Sequence, residues 1–93
     1  MTMTESPVLF AIDGELVGEA LRAAGEKFDS ADGEVVLDFS SVRRLDPRAL
    51  KAVEDFVDRA DKKAVKVVLR GVNVGVYKVL KLARLASRFG FVA

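Results

Sequence analysis

Asp38 and Asp46 are the carboxylates of this 93-residue chain best spaced to act together. Asp38 lies near the end of an apolar run, Val35–Phe39, and Asp46 directly precedes Pro47 at a helix start. A strand end and the helix start that follows it share one edge of an α/β sheet, so both side chains can reach that edge. Paired carboxylates suit acid–base catalysis or cation binding. The residues favour a plainer role: a strand-end aspartate satisfies loop N–H groups, and an aspartate before a helix caps it. Arg43, Arg44 and Arg48 gather round the same helix start. They form either a solvated loop or a rim for docking a partner, since arginine is enriched at interfaces and is also common on any surface. A second basic set, Lys78, Lys81, Arg84 and Arg88, falls within about a third of a helix circumference at ~100° per residue. It reads as a solvated helix face, because the aromatics are mostly phenylalanines at core-like positions and do not interleave with it as a single-strand nucleic-acid site requires.

Other chemistry is scarce. The chain has no histidine, the commonest general base near neutral pH, and no cysteine, so thiol nucleophiles, disulfides and cysteine metal sites are excluded. Gly71–Gly75 (GVNVG) lacks both the pattern and the lysine of a phosphate-binding loop, and no G-x-S-x-G elbow occurs. These features predict a protein that is not an enzyme, with no cofactor and no metal. The net charge of +1 hides a polarity: residues 1–46 carry ten acids and four bases, residues 47–93 four acids and eleven bases, and no acid follows Asp61. Such a gradient steers partners without deciding a fold. No apolar run approaches the ~20 residues of a membrane span, and Met1–Pro7 lacks a signal-peptide pattern, so a soluble cytoplasmic protein that is not membrane-inserted is expected.

Alternating apolar runs set the elements that must position these residues. Residues 1–7 read as a loose leader, and residues 8–93 as one domain. Val8–Ile12 is a short strand and Asp13-Gly14 a turn. Val17, Leu21, Ala24 and Phe28 recur at helical spacing over 15–28, and Asp29–Gly33 breaks the helix. Val35–Phe39 is the second strand. Asp46 as N-cap, Pro47 at N1, and Leu45 with Leu50 as a hydrophobic staple open a helix running to about Lys62, with Leu50, Val53, Phe56, Val57 and Ala60 inward. Lys51 and Asp55 are spaced to pair on its surface. Ala64–Leu69 is a third strand. Asn73 caps a third helix over 74–85, with Val76, Val79, Leu80 and Ala83 on one side, and Phe89–Val92 is a final edge strand. The order β-α-β-α-β-α-β predicts an α/β domain with a mostly parallel sheet of about four strands.

Three segments, VVLDFSSVRRLDPRAL, KAVKVVLRGV and VYKVLKLARLASRF, together resemble the STAS family of anti-sigma factor antagonists and sulfate-transporter tails, over about Gly14 to Phe91. In regulatory members the residue after the helix-start aspartate is a phosphorylated serine or threonine. Here it is Pro47, which has no hydroxyl, so the resemblance implies a lost phosphoacceptor. The family's glycine nearby is Ala49. One N-terminal strand is expected where many members have a hairpin, and the helix that often ends the family's domain is not expected here. The resemblance implies a signalling module that binds a protein partner through Arg43, Arg44, Asp46, Pro47, Arg48 and Lys51. An anti-sigma factor antagonist facing a kinase-like anti-sigma factor in transcription control is the first expectation. The alternative is an accessory subunit of a bacterial phospholipid-transport ABC system, since GVNVGVYKVLKLARL is similar to the matching stretch of the small STAS subunit that binds the ATPase. Binding of nucleic acid or a ligand through the basic second half is a third possibility, and nucleic acid is not expected. The oligomeric state is open.

Overall fold

Four short apolar segments pair into a single sheet in the computed structural model, which describes residues 8–27 and 33–92. They are β1 (Val8–Ala11), β2 (Glu34–Asp38), β3 (Lys66–Arg70) and β4 (Gly90–Val92), and they lie side by side in sequence order. Every pairing is parallel, with Phe10 opposite Leu37, Leu37 opposite Leu69, and Leu69 opposite Phe91. The connections are α1 (Val17–Lys27), α2 (Pro47–Lys62) and α3 (Val74–Leu82), followed by a 3-10 turn at Ala86–Arg88. Strands laid down in order and joined by right-handed crossovers place all three helices on one face. The core lies between that face and the helices: Val35, Leu37, Val67 and Leu69 from the sheet meet Val17, Leu21, Val53, Phe56, Val57, Val76 and Leu80. The expected α/β domain is thus observed. The 1–7 leader, Phe28 and Asp29–Asp32 lie outside the described residues.

Three element boundaries differ from the sequence expectation by two residues or more, each for a local reason, and the strand ends otherwise shift by one residue. α1 begins at Val17 because the Asp13 carboxylate accepts the Glu15 N–H (2.8 Å), and its carbonyl accepts the Leu16 N–H (3.1 Å). Those bonds hold residues 13–16 in a turn. β3 begins at Lys66 because Ala64 adopts a left-handed φ of 58° and closes α2. The Val65 N–H then reaches back to the Ala60 carbonyl (2.9 Å) and the Ala64 N–H to Asp61 (3.1 Å), as in a Schellman motif. α3 stops at Leu82 by the same device. Arg84 has φ 63°, the Leu85 N–H reaches the Leu80 carbonyl (2.8 Å) and the Arg84 N–H reaches Lys81 (3.0 Å). Ala83, expected on the inner side, is the exposed C-cap.

Both ends place an L-residue where glycine is preferred. An L-residue in that region costs about 1–2 kcal/mol, part of which a glycine gives back through the entropy of its unfolded chain. Ala64→Gly is therefore expected to stabilise the fold by about 0.5–1 kcal/mol and to raise Tm by a few degrees. Urea and thermal unfolding of the exposed-site variant check this; a loss of stability would contradict it.

Candidate functional site

The connections leaving β1, β2 and β3 all emerge at the carboxyl edge of the sheet. The longest, Phe39–Asp46, carries Arg43, Arg44 and Asp46 of the residues singled out from sequence, and it has no regular structure to hold it. Its hold comes from side chains and close approaches. Val42 and Leu45 turn inward and are buried. Asn73 works from the neighbouring connection. Its Oδ1 accepts the Val76 N–H (2.8 Å), capping α3, and its Nδ2 donates to the carbonyls of Val42 (3.2 Å) and Arg43 (3.1 Å). Gly71, with φ +72°, packs against Ser40, where an added Cβ would meet Ser40 Cβ at 3.0 Å. On the other side Gly14 lies so close that an added Cβ would stand 2.0 Å from the Ser41 carbonyl oxygen. The loop is thus clamped between its two neighbours at backbone level.

The two aspartates each serve their own turn. The Asp38 carboxylate accepts the Ser40 hydroxyl (2.6 Å) and the Ser40 N–H (2.9 Å). These bonds, the hydroxyl first, lower its pKa against the opposing effect of burial, with a smaller contribution from Arg70. Because the folded value lies below the ordinary 3.8, the Asp38 contribution is present above that value and is lost as pH falls through the lower folded value. Asp38→Asn is expected to flatten the acid limb of stability below about pH 4, its cost shrinking steadily as the pH falls further. Chemical denaturation across pH 2–6 checks this, and parallel curves for the two proteins would contradict it. Asp46 accepts the Ala49 N–H (2.8 Å) as the N-cap of α2, with Pro47 in the first turn. Among the described residues no three of His, Cys, Asp or Glu come close enough to hold a metal ion.

The cationic residues form the accessible surface of this edge. Arg43, Arg44, Asp46, Pro47, Arg48 and Lys51 are all exposed, whereas Ala49 and Leu50 are half-buried against the core. Lys51 pairs with Asp55 across one helical turn (3.3 Å), which raises its pKa. An open groove of about 860 Å³ runs between the starts of α1 and α2. Arg43, Arg44, Arg48 and Asp46 line one side, and Glu15, Leu16 and Glu19 the other. That second wall was not identified from sequence. The signal available was the Asp13-Gly14 turn, which puts the start of α1 at the same sheet edge as the start of α2.

The second basic set does not form one helix face. Lys78 and Lys81 lie on α3, but Arg84 sits in the left-handed turn after it, and Arg88 belongs to the 3-10 turn. Arg88 faces α2, where its guanidinium bonds Asp61 and pairs with Asp58 (2.9 Å). Those two carboxylates raise its pKa. The helix stops at Leu82, so the 3.6-residue spacing that grouped all four residues does not extend to 84 and 88.

The fold has counterparts among known proteins. The sequence family described as Mlab, STAS domain, matches residues 2–92. The chain belongs to the STAS family. Within it, this STAS domain is 36% identical over 78 residues to the intermembrane phospholipid transport system binding protein MlaB of Escherichia coli, covering 83% of this chain and 80% of that protein. The MlaB of Shigella flexneri matches to the same extent. Among solved structures, the STAS domain of a SulP transporter from Vibrio cholerae superposes with a TM-score of 0.78 at 16% identity, over 99% of this chain and 77% of that one. A sulfate transporter family protein from Wolinella succinogenes gives 0.78 at 17% identity, over 98% and 80% of the two chains. A Thermotoga maritima protein assigned as an anti-sigma factor antagonist gives 0.64 at 16% identity, over 96% and 74%. At those identities the structural likenesses establish the fold alone. No helix among the described residues is long and apolar enough to cross a membrane.

Proposed function

We propose that this STAS domain is a non-enzymatic binding subunit of a phospholipid transport system, and that it docks its protein partner, the transport ATPase, on the surface Arg43–Lys51. The observation that carries the assignment is the 36% identity to MlaB along four-fifths of that protein's length, a likeness of sequence as well as fold. The geometry supports a docking role. Arg43, Arg44 and Arg48 stand exposed on a backbone held by Asn73, Gly71 and Gly14, so little order has to be created on binding. Asp38 and Asp46 are engaged in their turns, which supports a surface that recognises and does no chemistry. Pro47 fixes the helix start and offers no hydroxyl, so attachment is not switched by phosphorylation at that position.

The anti-sigma factor antagonist role, the first expectation from the resemblance, is the second reading. Its support is the shared fold of the Thermotoga maritima protein, without close sequence likeness. Calorimetric titration of the purified chain separates the two. Binding is expected with the ATPase subunit of the host's phospholipid transporter and not with a kinase-like anti-sigma factor. The reverse pattern would replace the first reading with the second.

A further inference from the structure

The edge formed by α3 and β4 carries a feature that the groove between α1 and α2 does not explain. Val74, Tyr77 and Leu82 are exposed (70%, 41% and 85%), although α3 packs Val76 and Leu80 into the core. At 100° per residue, Tyr77, Lys81, Val74, Lys78 and Leu82 follow one another across a single outward face. Tyr77 also stacks edge-on against Phe91 of β4 (centroids 5.2 Å, 75° between planes), and Phe91 is itself 37% exposed. β4 ends the sheet, so one of its sides has no strand beside it among the described residues. The Val92 carbonyl turns toward β3, where it accepts the Gly71 N–H (3.3 Å). In a parallel ladder, N–H and C=O groups alternate between the two sides, so those of Phe91 face outward.

We infer that this edge receives an extended segment of a protein partner that presents apolar and acidic side chains together on the face it turns to α3. The backbone of the segment adds beside β4 through Phe91, its apolar side chains cover Tyr77 and Phe91, and its carboxylates meet Lys78 and Lys81. Charge selects the occupant. No acid follows Asp61 in the sequence, and Arg88 already holds Asp58 and Asp61, so Lys78 and Lys81 are left for acids supplied from outside. A second copy of the chain fits poorly, because a two-fold β4–β4 contact brings the lysine faces of both α3 helices together. A bilayer surface fits poorly as well, since it offers the outward backbone groups of Phe91 no ordered partner. The inference concerns a surface separate from Arg43–Lys51 and does not rest on the assignment of that surface.

The test is an NMR titration of the isotope-labelled full chain with two synthetic heptapeptides that carry threonine at every second position, the intervening positions alternating valine with glutamate in one peptide and valine with lysine in the other. The glutamate peptide is expected to shift the amides of Gly90, Phe91, Val92 and α3. It should bind at least about tenfold more tightly than the lysine peptide at low salt and lose about tenfold in affinity to a Lys78→Glu/Lys81→Glu variant. Vesicles containing 30% phosphatidylglycerol and a dilution series without peptide are run alongside. The inference is overturned if the two peptides bind alike or not at all, or if the shifts gather at Arg43–Lys51. It is equally overturned if only vesicles shift the β4 amides, or if those amides depend on protein concentration alone.

Discussion

Gly14→Ala is expected to destabilise the fold by about 2–3 kcal/mol, because the added methyl would stand only 2.0 Å from the Ser41 carbonyl oxygen. The cause is space and not backbone freedom. Gly14 is absent from the glycines with positive φ, so alanine can adopt its conformation. What cannot yield is the neighbour, a backbone group of a loop whose other side is fixed by Gly71 and Asn73. Relief therefore requires the connections after β1 and β2 to separate, which widens the groove and moves Arg43 and Arg44. The same substitution should weaken partner binding even at temperatures where the variant is folded. Urea unfolding measures the first effect and titration with the ATPase subunit the second. A change in stability below about 0.5 kcal/mol would show that these loops are not in contact as described.

Arg48→Glu is expected to lower partner affinity by ten- to a hundredfold while leaving the domain as stable as before or slightly more so. The two effects have opposite signs for separate reasons. Placing a negative charge in the docking rim costs favourable contacts and adds repulsion where a partner meets cationic side chains, an effect of about 1.4–3 kcal/mol. In the isolated chain, however, Arg48 is exposed in the first turn of α2, which contains no acid. A carboxylate there favours the positive end of the helix dipole by about 0.3–1 kcal/mol. Lys51→Glu should also weaken binding. It loses the ion pair with Asp55 and lies farther from the helix start, so no gain in stability is expected. If Arg48→Glu leaves affinity unchanged, the partner docks elsewhere. If it unfolds the chain, the surface has been misread.

The parts of this account visible in the sequence are those written in local chemistry. Asp46 before Pro47, with Leu45 and Leu50 flanking, announced the start of α2 to the residue, because capping depends on neighbours within one turn. Alternating strands and helices announced the parallel sheet for the same reason. The ends of α2 and α3 were less visible. Ala64 and Arg84 occupy left-handed positions that glycine usually marks, so apolar spacing carried the third helix past its end and drew Arg84 and Arg88 into a face they do not share. Long-range roles were hidden altogether. Asn73 was legible as a cap, but its bonds to Val42 and Arg43, thirty residues away, depend on how three connections meet. Gly14 was legible as a turn residue, but its contact with Ser41 was not. The α1 wall of the groove was missed for the same reason, since Glu15, Leu16 and Glu19 reach it only once β1 is paired with β2.

Hydrogen exchange of the STAS domain, alone and in complex with the phospholipid-transport ATPase subunit, tests most directly whether the Arg43–Lys51 surface is the docking site. The account predicts strong added protection of the backbone amides of residues 43–46 and 48–51, with the outer face of α1 near Arg22 and Glu26 exchanging as in the free protein. Complex formation that leaves residues 43–51 unprotected, with protection concentrated on any other element, would contradict it.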